Sequence, residues 1–331
     1  MDETGGDLVV NHSKNCDGIM NFPLVSIVIL TWNRKNEILK TIKLVYEQNY
    51  RNIEIIVVDN GSTDGTIEVL RQAYPMVRLI ELGKNIGVVA RNNGVAVAKG
   101  EIIFCLDSDA HPGDNTISNV VNKLKNETNV GIINSKILNA STHELGRTAG
   151  WVYSESDRSD QDIEFLSYSF SEGGCAIRKE VFNKVGLFWD RLFFGLEGME
   201  FSLRVLDAGY DILYYPESVI YHREKEQSRI KGGERDYLNY KNSLYIYLAR
   251  FPWWIFLFFT VMKTGATLTR AIKRGYLGQI LHAWVDFVKE FPSLLKERRS
   301  IRNSTALKYL KLQRQHGQLR WNLASWLKAK T

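Results

Sequence analysis

The feature that most constrains the fold is an alternation of short apolar runs with segments of helical periodicity in the first third of the chain. The apolar runs are rich in β-branched residues and predict buried strands, whereas the intervening segments place apolar residues three or four positions apart. This alternation favours an α/β fold with a mostly parallel sheet and helices on both faces. The predicted strands are 24–30, 53–58, 77–82 and 101–106, and the predicted helices are 34–48, a short one near 67–70, and 88–98.

Polar clusters follow three of these strands, at the carboxyl ends where ligands bind in such sheets. They are the turn 59–65 (DNGSTDG), the segment 84–87 (KNIG) with Arg91 one turn into the next helix, and 107–109 (DSD). Each cluster alone could be an ordinary turn, a helix cap or surface decoration. Three clusters at three strand ends favour a binding site.

Asp107 and Asp109 are separated by one residue, so in extended chain both carboxylates point to the same side. Two carboxylates in one cleft repel each other unless a cation lies between them, and a hard divalent ion with open positions for diphosphate oxygens suits them. The alternative is a solvated, aspartate-rich turn. In the other two clusters, Asp59 could accept a hydrogen bond from a nucleobase, and Arg91 beside a helix N-terminus suits a phosphate.

The charge of the chain is divided unevenly along its length. Residues 241–331 contain 17 of the 43 Lys and Arg but only 3 of the 37 Asp and Glu. They also contain five of the eight tryptophans, a pattern that favours an anionic membrane surface over nucleic acid, for which no binding module is recognisable. These tryptophans are Trp253, Trp254, Trp284, Trp321 and Trp326.

The apolar run 251–262 has 12 residues, which is short for a spanning helix and long for an exposed loop. We predict an interfacial anchor here; a tilted single span and an ordinary core or dimer helix are the alternatives. A second apolar stripe on an amphipathic helix is predicted from Leu277, Ile280, Leu281, Trp284, Val285, Val288 and Phe291.

The cysteine spacing fits a reducing compartment, and the glycine spacing argues against two classes of nucleotide-binding protein. Cys16, Cys105 and Cys175 lack the spacing of a disulfide framework or a zinc site. Residues 1–21 begin with Asp2 and Glu3 and have no apolar core, so we predict a loose tail that is neither a secretory signal nor a membrane anchor. No G-x-G-x-x-G or G-x-x-x-x-G-K-[ST] follows a predicted strand, which argues against a dehydrogenase or a phosphate-loop NTPase.

Taken in order, the motifs resemble family 2 glycosyltransferases, whose fold is called GT-A. The similarity is carried by 25–33 (VSIVILTWN), 57–66 (VVDNGSTDGT), 85–94 (NIGVVARNNG) and 106–109 (LDSD), and it continues through 173–186 and 195–222. The C-terminal arrangement resembles the rhamnosyltransferase-like branch of the family. From the resemblance, which covers roughly 24–222, we predict a single GT-A domain at 22–240; the charge and tryptophan pattern predicts a basic, Trp-rich helical region at 241–331 that associates with a membrane.

The resemblance also implies a role for individual residues. Thr31, Asn33, Asp59, Asn85, Arg91 and Asp107 would contact the nucleotide sugar, and Asp107, Asp109 and His222 would hold Mg or Mn. A histidine at a strand end is as often structural, so His222 has that alternative. Relatives carry an acidic pair whose second member is the general base, and here the matching pair is Glu197 and Gly198.

Because Gly198 has no side chain, Glu197 and Glu200 are the candidate catalytic bases. We favour Glu197, which we expect at the open mouth of the cleft before a helix at 201–208 begins; the alternative is that both acids only cap that helix. The implied reaction is an inverting transfer from a nucleotide sugar to a hydroxyl of a lipid-linked glycan or polysaccharide. We expect it at the cytoplasmic face of the cell membrane, by a peripheral protein that is either a monomer or a homo-oligomer. A non-catalytic nucleotide-sugar-binding scaffold is the alternative.

Overall fold

The structure is a computed structural model, which describes residues 22–145, 160–223 and 233–315. The strands are β1 (Val25–Thr31), β2 (Ile53–Asp59), β3 (Arg78–Glu81), β4 (Ile102–Asp107), β5 (Ala110–Pro112), β6 (Val130–Asn139), β7 (Phe165–Leu166), β8 (Gly174–Arg178) and β9 (Asp211–His222). The helices are α1 (Lys35–Tyr46), α2 (Thr66–Ala73), α3 (Arg91–Val97), α4 (Thr116–Asn126), α5 (Lys179–Val185), α6 (Glu197–Asp207), α7 (Gly233–Arg250), α8 (Trp253–Arg274), α9 (Leu277–Glu297) and α10 (Asn303–Gln315).

One sheet runs through the described part of the chain, with the strand order β3-β2-β1-β4-β8-β6-β9-β5 and β7 beside β9. The four strands predicted from the sequence are neighbours and parallel, in the order β3-β2-β1-β4. β8 is inserted antiparallel between β4 and β6, and β6 pairs parallel with β9. The α/β fold with a mostly parallel sheet is confirmed, and β8 and β5 are its antiparallel exceptions near the site.

The two faces of the sheet bury different sets of side chains, because successive residues of a strand point to opposite sides. Ile27 and Ile29 of β1 belong to the core under α1 and α4, whereas Val28 belongs to the core on the other face. That second core is the larger one. It continues through α3 and α6 into α7, α9 and α10, so the C-terminal helices pack onto the α/β unit.

The predicted boundary at 240/241 falls inside α7, since this helix spans Gly233–Arg250. The end of α7 is joined to α6 by the ion pair between Arg250 and Glu200. The N-terminal segment 1–21 with Cys16, and Trp321 and Trp326 near the C-terminus, lie outside the described residues. Cys105 and Cys175 are free, buried and opposite each other on β4 and β8.

The predicted apolar stripe on α9 is divided between two environments. Ile280 is buried, and Trp284 and Phe291 pack against the core. Leu281 and Val288 are exposed to solvent. The helix therefore uses about half of the stripe for packing on α7 and leaves the other half uncovered.

α8 carries the more continuous exposed apolar surface. We call Trp253, Trp254, Leu257, Phe258 and Val261 the α8 outer face; Leu257 is 60% exposed and Val261 is 70% exposed. With 22 residues, α8 is longer than the apolar run that predicts it. Among the described residues it is the one helix whose length and composition would allow it to cross a membrane, and 28% of its most apolar window is buried.

Candidate active site

The carboxylates of Asp107 and Asp109 and the imidazole of His222 form one group, with ligand atoms within 4.8 Å of one another. Asp107 ends β4, and Asp109 lies in the turn that follows it. His222 ends β9 and is opposite Ala110, because β5 pairs antiparallel with β9. This short ladder brings residues more than a hundred positions apart into one group, as the resemblance predicts.

Each carboxylate of this group also contacts an arginine. Asp107 pairs with Arg91, which is buried, and Asp109 accepts a hydrogen bond from Arg34 at 3.0 Å. Burial acts to raise the pKa of Asp109, but the hydrogen bond from His222 and the charge of Arg34 outweigh it, so that pKa is lowered. Two carboxylates beside an imidazole nitrogen are ligands that suit a divalent cation, so these residues fit a Mg or Mn site.

Two of the predicted nucleotide-contacting residues, Thr31 and Asp59, end the strands β1 and β2. Thr31 and Asp59 are register neighbours. The Oδ1 atom of Asp59 accepts from the backbone N–H groups of Gly61 and Ser62. Its Oδ2 atom and the Oγ1 atom of Thr31 are buried and have no partner among the described residues. Buried polar atoms are normally paired, so these two atoms indicate a place for a ligand.

Two predicted asparagines shape the loops around this place. The Asn33 side chain accepts from the backbone N–H of Thr63 at 2.8 Å, which ties the loop after β1 to the turn after β2. The Asn85 side chain accepts from Asn60 at 2.9 Å and from the backbone N–H of Gly87. Asn85 borders the cavity, whereas Asn33 supports the loop and is not among the cavity's lining residues.

A cavity of about 1100 Å³ joins the Asp107, Asp109 and His222 group to Thr31 and Asn85, whereas Asp59 is not among its lining residues. Thr31, Arg91, Asp107, Asp109 and His222 line the side formed by the sheet. The opposite wall comes from the C-terminal helices, and its residues include Arg235 and Asn239 of α7, Lys263 and Arg270 of α8, and Tyr309 and Gln313 of α10. The region predicted only to associate with a membrane therefore also contributes to the cavity, through Lys263 and Arg270 of α8 and Tyr309 and Gln313 of α10.

The two candidate bases have different surroundings. α6 begins at Glu197 rather than near 201, so Glu197 is the first residue of the helix and not a loop residue before it. Glu197 lines the cavity, and its Oε2 atom is buried without a partner among the described residues. Burial raises the pKa of Glu197, although backbone N–H groups and the charge of Arg91 act against it.

Glu200 lies away from the cavity and is fully buried. Its carboxylate accepts from Arg204 at 2.7 and 2.8 Å and from Arg250 at 2.5 Å. Spacing of three on a helix does not bring both acids to one cleft here, because Arg250 of α7 binds Glu200 from the other side. A carboxylate enclosed by two guanidinium groups is suited to joining helices rather than to accepting a proton.

Glu172 is a cavity residue that the sequence reasoning does not identify. It lies in the turn before β8, and β8 is the strand inserted beside β4. The residues Glu172, Gly173 and Gly174 (EGG) just before a short strand are the signal, but its meaning depends on knowing that β8 pairs with the strand carrying Asp107. Trp32 and Arg34, in the loop after β1, are further cavity residues outside the predicted set.

Comparison with known proteins bears on this geometry. Residues 26–186 match the family model described as Glycosyl transferase family 2. Glycosyltransferase AglE from Haloferax volcanii is 28% identical over 226 residues, which are 64% of this chain and 73% of AglE. N-acetylglucosaminyl-diphospho-decaprenol L-rhamnosyltransferase from Mycobacterium tuberculosis is 23% identical over 272 residues, 70% of this chain and 86% of that protein.

Among solved structures, mannosyltransferase PcManGT from Pyrobaculum calidifontis in complex with GDP-Man and Mn2+ is similar to this chain with a TM-score of 0.53. The sequence identity is 17%, and the match covers 89% of this chain and 88% of PcManGT. At that identity the similarity concerns the fold. It extends over most of both chains.

Proposed function

Because this chain belongs to glycosyl transferase family 2, has the GT-A fold and is a glycosyltransferase, we propose that it transfers a sugar from a nucleoside diphosphate sugar to a hydroxyl of a lipid-linked glycan, with inversion at the anomeric carbon. One observation carries the proposal. The Asp107, Asp109 and His222 group lies in the same cavity as the unpartnered hydroxyl oxygen of Thr31 and the unpartnered Oε2 atom of Glu197.

The donor would bind along the strand ends. Asp59, with one oxygen held by the turn and the other buried and free, accepts a hydrogen bond from the nucleobase. The buried hydroxyl of Thr31 lies beside it in the nucleoside pocket. Arg91 has an unpartnered Nε atom and faces the cavity, so its guanidinium balances charge on the diphosphate.

Asp107, Asp109 and His222 are the residues that would hold the divalent ion, either Mg or Mn. PcManGT, which is similar in fold, was solved in complex with GDP-Man and Mn2+, which supports the use of a divalent ion. When bound, such an ion acts as a Lewis acid that stabilises the negative charge on the leaving diphosphate. Arg34 and Arg91 position the two aspartates before the ion arrives.

A carboxylate that lines the cavity accepts the proton of the acceptor hydroxyl as the new bond forms, because a neutral hydroxyl is a weak nucleophile. Of the two candidates from the sequence, Glu197 faces the cavity and Glu200 is engaged by Arg204 and Arg250. We therefore assign Glu200 to the packing of α6 against α7.

The acceptor and the location follow from the other wall and from the relatives. The Mycobacterium tuberculosis relative is named for a sugar on diphospho-decaprenol, a lipid carrier. In this chain the α8 outer face would lie on the membrane surface beside such an acceptor. The facing free thiols of Cys105 and Cys175 support the reducing, cytoplasmic side.

A donor screen tests the proposal. The full chain is incubated with Mn2+, a panel of nucleotide sugars and N-acetylglucosaminyl diphosphate on a short polyprenol, and release of nucleoside diphosphate is measured with and without chelator. The variant carrying both Asp107→Asn and Asp109→Asn should lose at least a hundredfold in turnover. Asp114→Asn is the matched control, because Asp114 is exposed and outside the cavity.

The outcome also separates the enzyme from the scaffold. A scaffold would bind a nucleotide sugar in calorimetry and release no nucleoside diphosphate with any acceptor. If the double variant transferred sugar at the native rate, the assignment of the metal group would be wrong.

A further inference from the structure

The space beside Gly198 is filled by a side chain from another part of the sequence. A Cβ atom added to Gly198 would overlap the Oε1 atom of Glu172 and would lie 2.8 Å from its Cδ atom. The carbonyl oxygen of Phe170 would be 2.9 Å away. The carboxyl group of Glu172 therefore occupies the volume that any side chain at position 198 would enter.

The strand arrangement explains how Glu172 reaches this place. β8 pairs antiparallel with β4, so the turn before β8 meets the end of β4 at Asp107. The backbone N–H of Asp107 donates to the carbonyl oxygen of Gly173 at 3.2 Å. A Cβ atom at Gly173 would overlap the carboxylate of Asp107, so the turn passes directly against the metal group.

The surroundings of Glu172 combine burial with two charged neighbours. Burial and the charge of Glu197 raise the pKa of Glu172 to about 8, while Arg91 and the backbone N–H of Gly198 act to lower it. A carboxyl group with these neighbours can exchange a proton near neutral pH. Glu172 also lines the cavity that holds the metal group.

Glu197 and Glu172 differ in how their carboxyl groups are held. The Oε1 atom of Glu172 lies in the space beside Gly198, whereas the charge of Asp107 acts to raise the pKa of Glu197. The carboxylate of Glu197 is also fixed by the backbone N–H of Gly195 at the start of α6. Both acids line the cavity, but Glu197 is held at the start of α6, and Glu172 is the acid in the space that a side chain at position 198 would enter.

We propose that Glu172 is the general base of this enzyme and supplies the carboxylate that position 198 lacks, with Glu197 as the positioning residue beside it. This inference rests on the proposed function. The acceptor O–H gives its proton to the carboxylate of Glu172 while the acceptor oxygen bonds to the anomeric carbon. The bond from that carbon to the phosphate oxygen breaks, and its electron pair leaves with the nucleoside diphosphate.

The test moves the carboxylate back to position 198. The assay uses the full chain with Mn2+, the nucleotide sugar that gives the fastest native release of nucleoside diphosphate, and the polyprenol-linked acceptor. Glu172→Gln should lower transfer at least a hundredfold and leave the donor Kd within twofold. Glu172→Ala should be equally slow, and adding Gly198→Asp to it should restore at least tenfold, because the vacated volume then holds the aspartate.

Gly198→Asp alone should not increase transfer, since Glu172 still fills the site, and Glu217→Gln is an exposed control that should retain native transfer. A merely structural role for Glu172 would leave Glu172→Ala and the double variant equally inactive, and that result would overturn the inference. Near-native transfer by Glu172→Gln would overturn it as well while the proposed function stands. Absence of turnover by the native chain with every donor would instead refute the proposed function.

Discussion

Replacing Glu200 by glutamine separates a structural acid from a catalytic one. Glu200 is completely buried, and its two oxygens accept three hydrogen bonds from Arg204 and Arg250. Glutamine keeps the size of the side chain but removes its charge and turns an N–H₂ group towards one arginine. Breaking a buried pair by changing one partner costs about 3–5 kcal/mol, because the remaining charge stays buried.

A loss of about 3 kcal/mol lowers the Tm of a chain of 331 residues by roughly 4 °C, because the unfolding entropy is about 2.1 cal/mol/K per residue. Differential scanning calorimetry of Glu200→Gln measures the shift, and donor turnover is assayed well below the lowered Tm. For Glu200→Gln we expect this fall in Tm together with a turnover that is reduced less than tenfold. Glu197→Gln is the matched control, in which turnover should change and the Tm should fall by less.

The reverse pattern would refute this reasoning. If Glu200→Gln melted within about 1 °C of the native chain and lost a hundredfold or more in turnover, Glu200 would act on substrate, and its two arginines would only tune it.

Three further predictions concern separate parts of the molecule. Asp59→Asn keeps an oxygen for the turn but removes the charge, so nucleotide affinity in calorimetry should fall at least tenfold; unchanged affinity would contradict the assignment. Replacing Leu257 and Val261 of the α8 outer face by glutamate removes about 3 kcal/mol of apolar transfer, so flotation with anionic liposomes should fall roughly a hundredfold; a native chain that does not float would disprove the anchor. Gly87→Ala should cost at least about 2 kcal/mol in urea denaturation, because Gly87 has φ 83° and a Cβ there would lie 2.7 Å from the carbonyl carbon of Phe193; an unchanged midpoint would show that the loop adapts.

Local sequence patterns are sufficient to predict the strand ends of the site. The β-branched runs determine β1 to β4, and parallel strands bring their carboxyl ends to one edge, so Thr31, Asp59 and Asp107 are found without knowledge of the rest of the fold. His222 is different. Its place beside Asp109 depends on the three-residue ladder between β5 and β9, which has no periodicity to read and is implied only by the family resemblance.

Local spacing along the sequence does not show which acid faces the cavity; that depends on side-chain partners from distant helices and strands. Glu197 and Glu200 are equivalent by helical spacing, and only Arg250 of α7 shows that one of them is bound away from the cavity. Glu172 is the converse case, because its importance depends on the empty position at Gly198, 26 residues further along the chain. The sequence shows the missing acid but not the residue that fills its volume.

The two-sided cavity has a consequence for how such a protein diversifies. Its donor wall is encoded between Thr31 and Asp109, and much of the facing wall is encoded after Gly233, on α7, α8 and α10. A recombination event that replaces only the later stretch would exchange that facing wall and leave the proposed nucleotide contacts at the strand ends unchanged. The new segment would still have to carry an arginine at the position of Arg250. Without it, Glu200 would lose one of its two arginine partners, and α7 would not pack stably against α6.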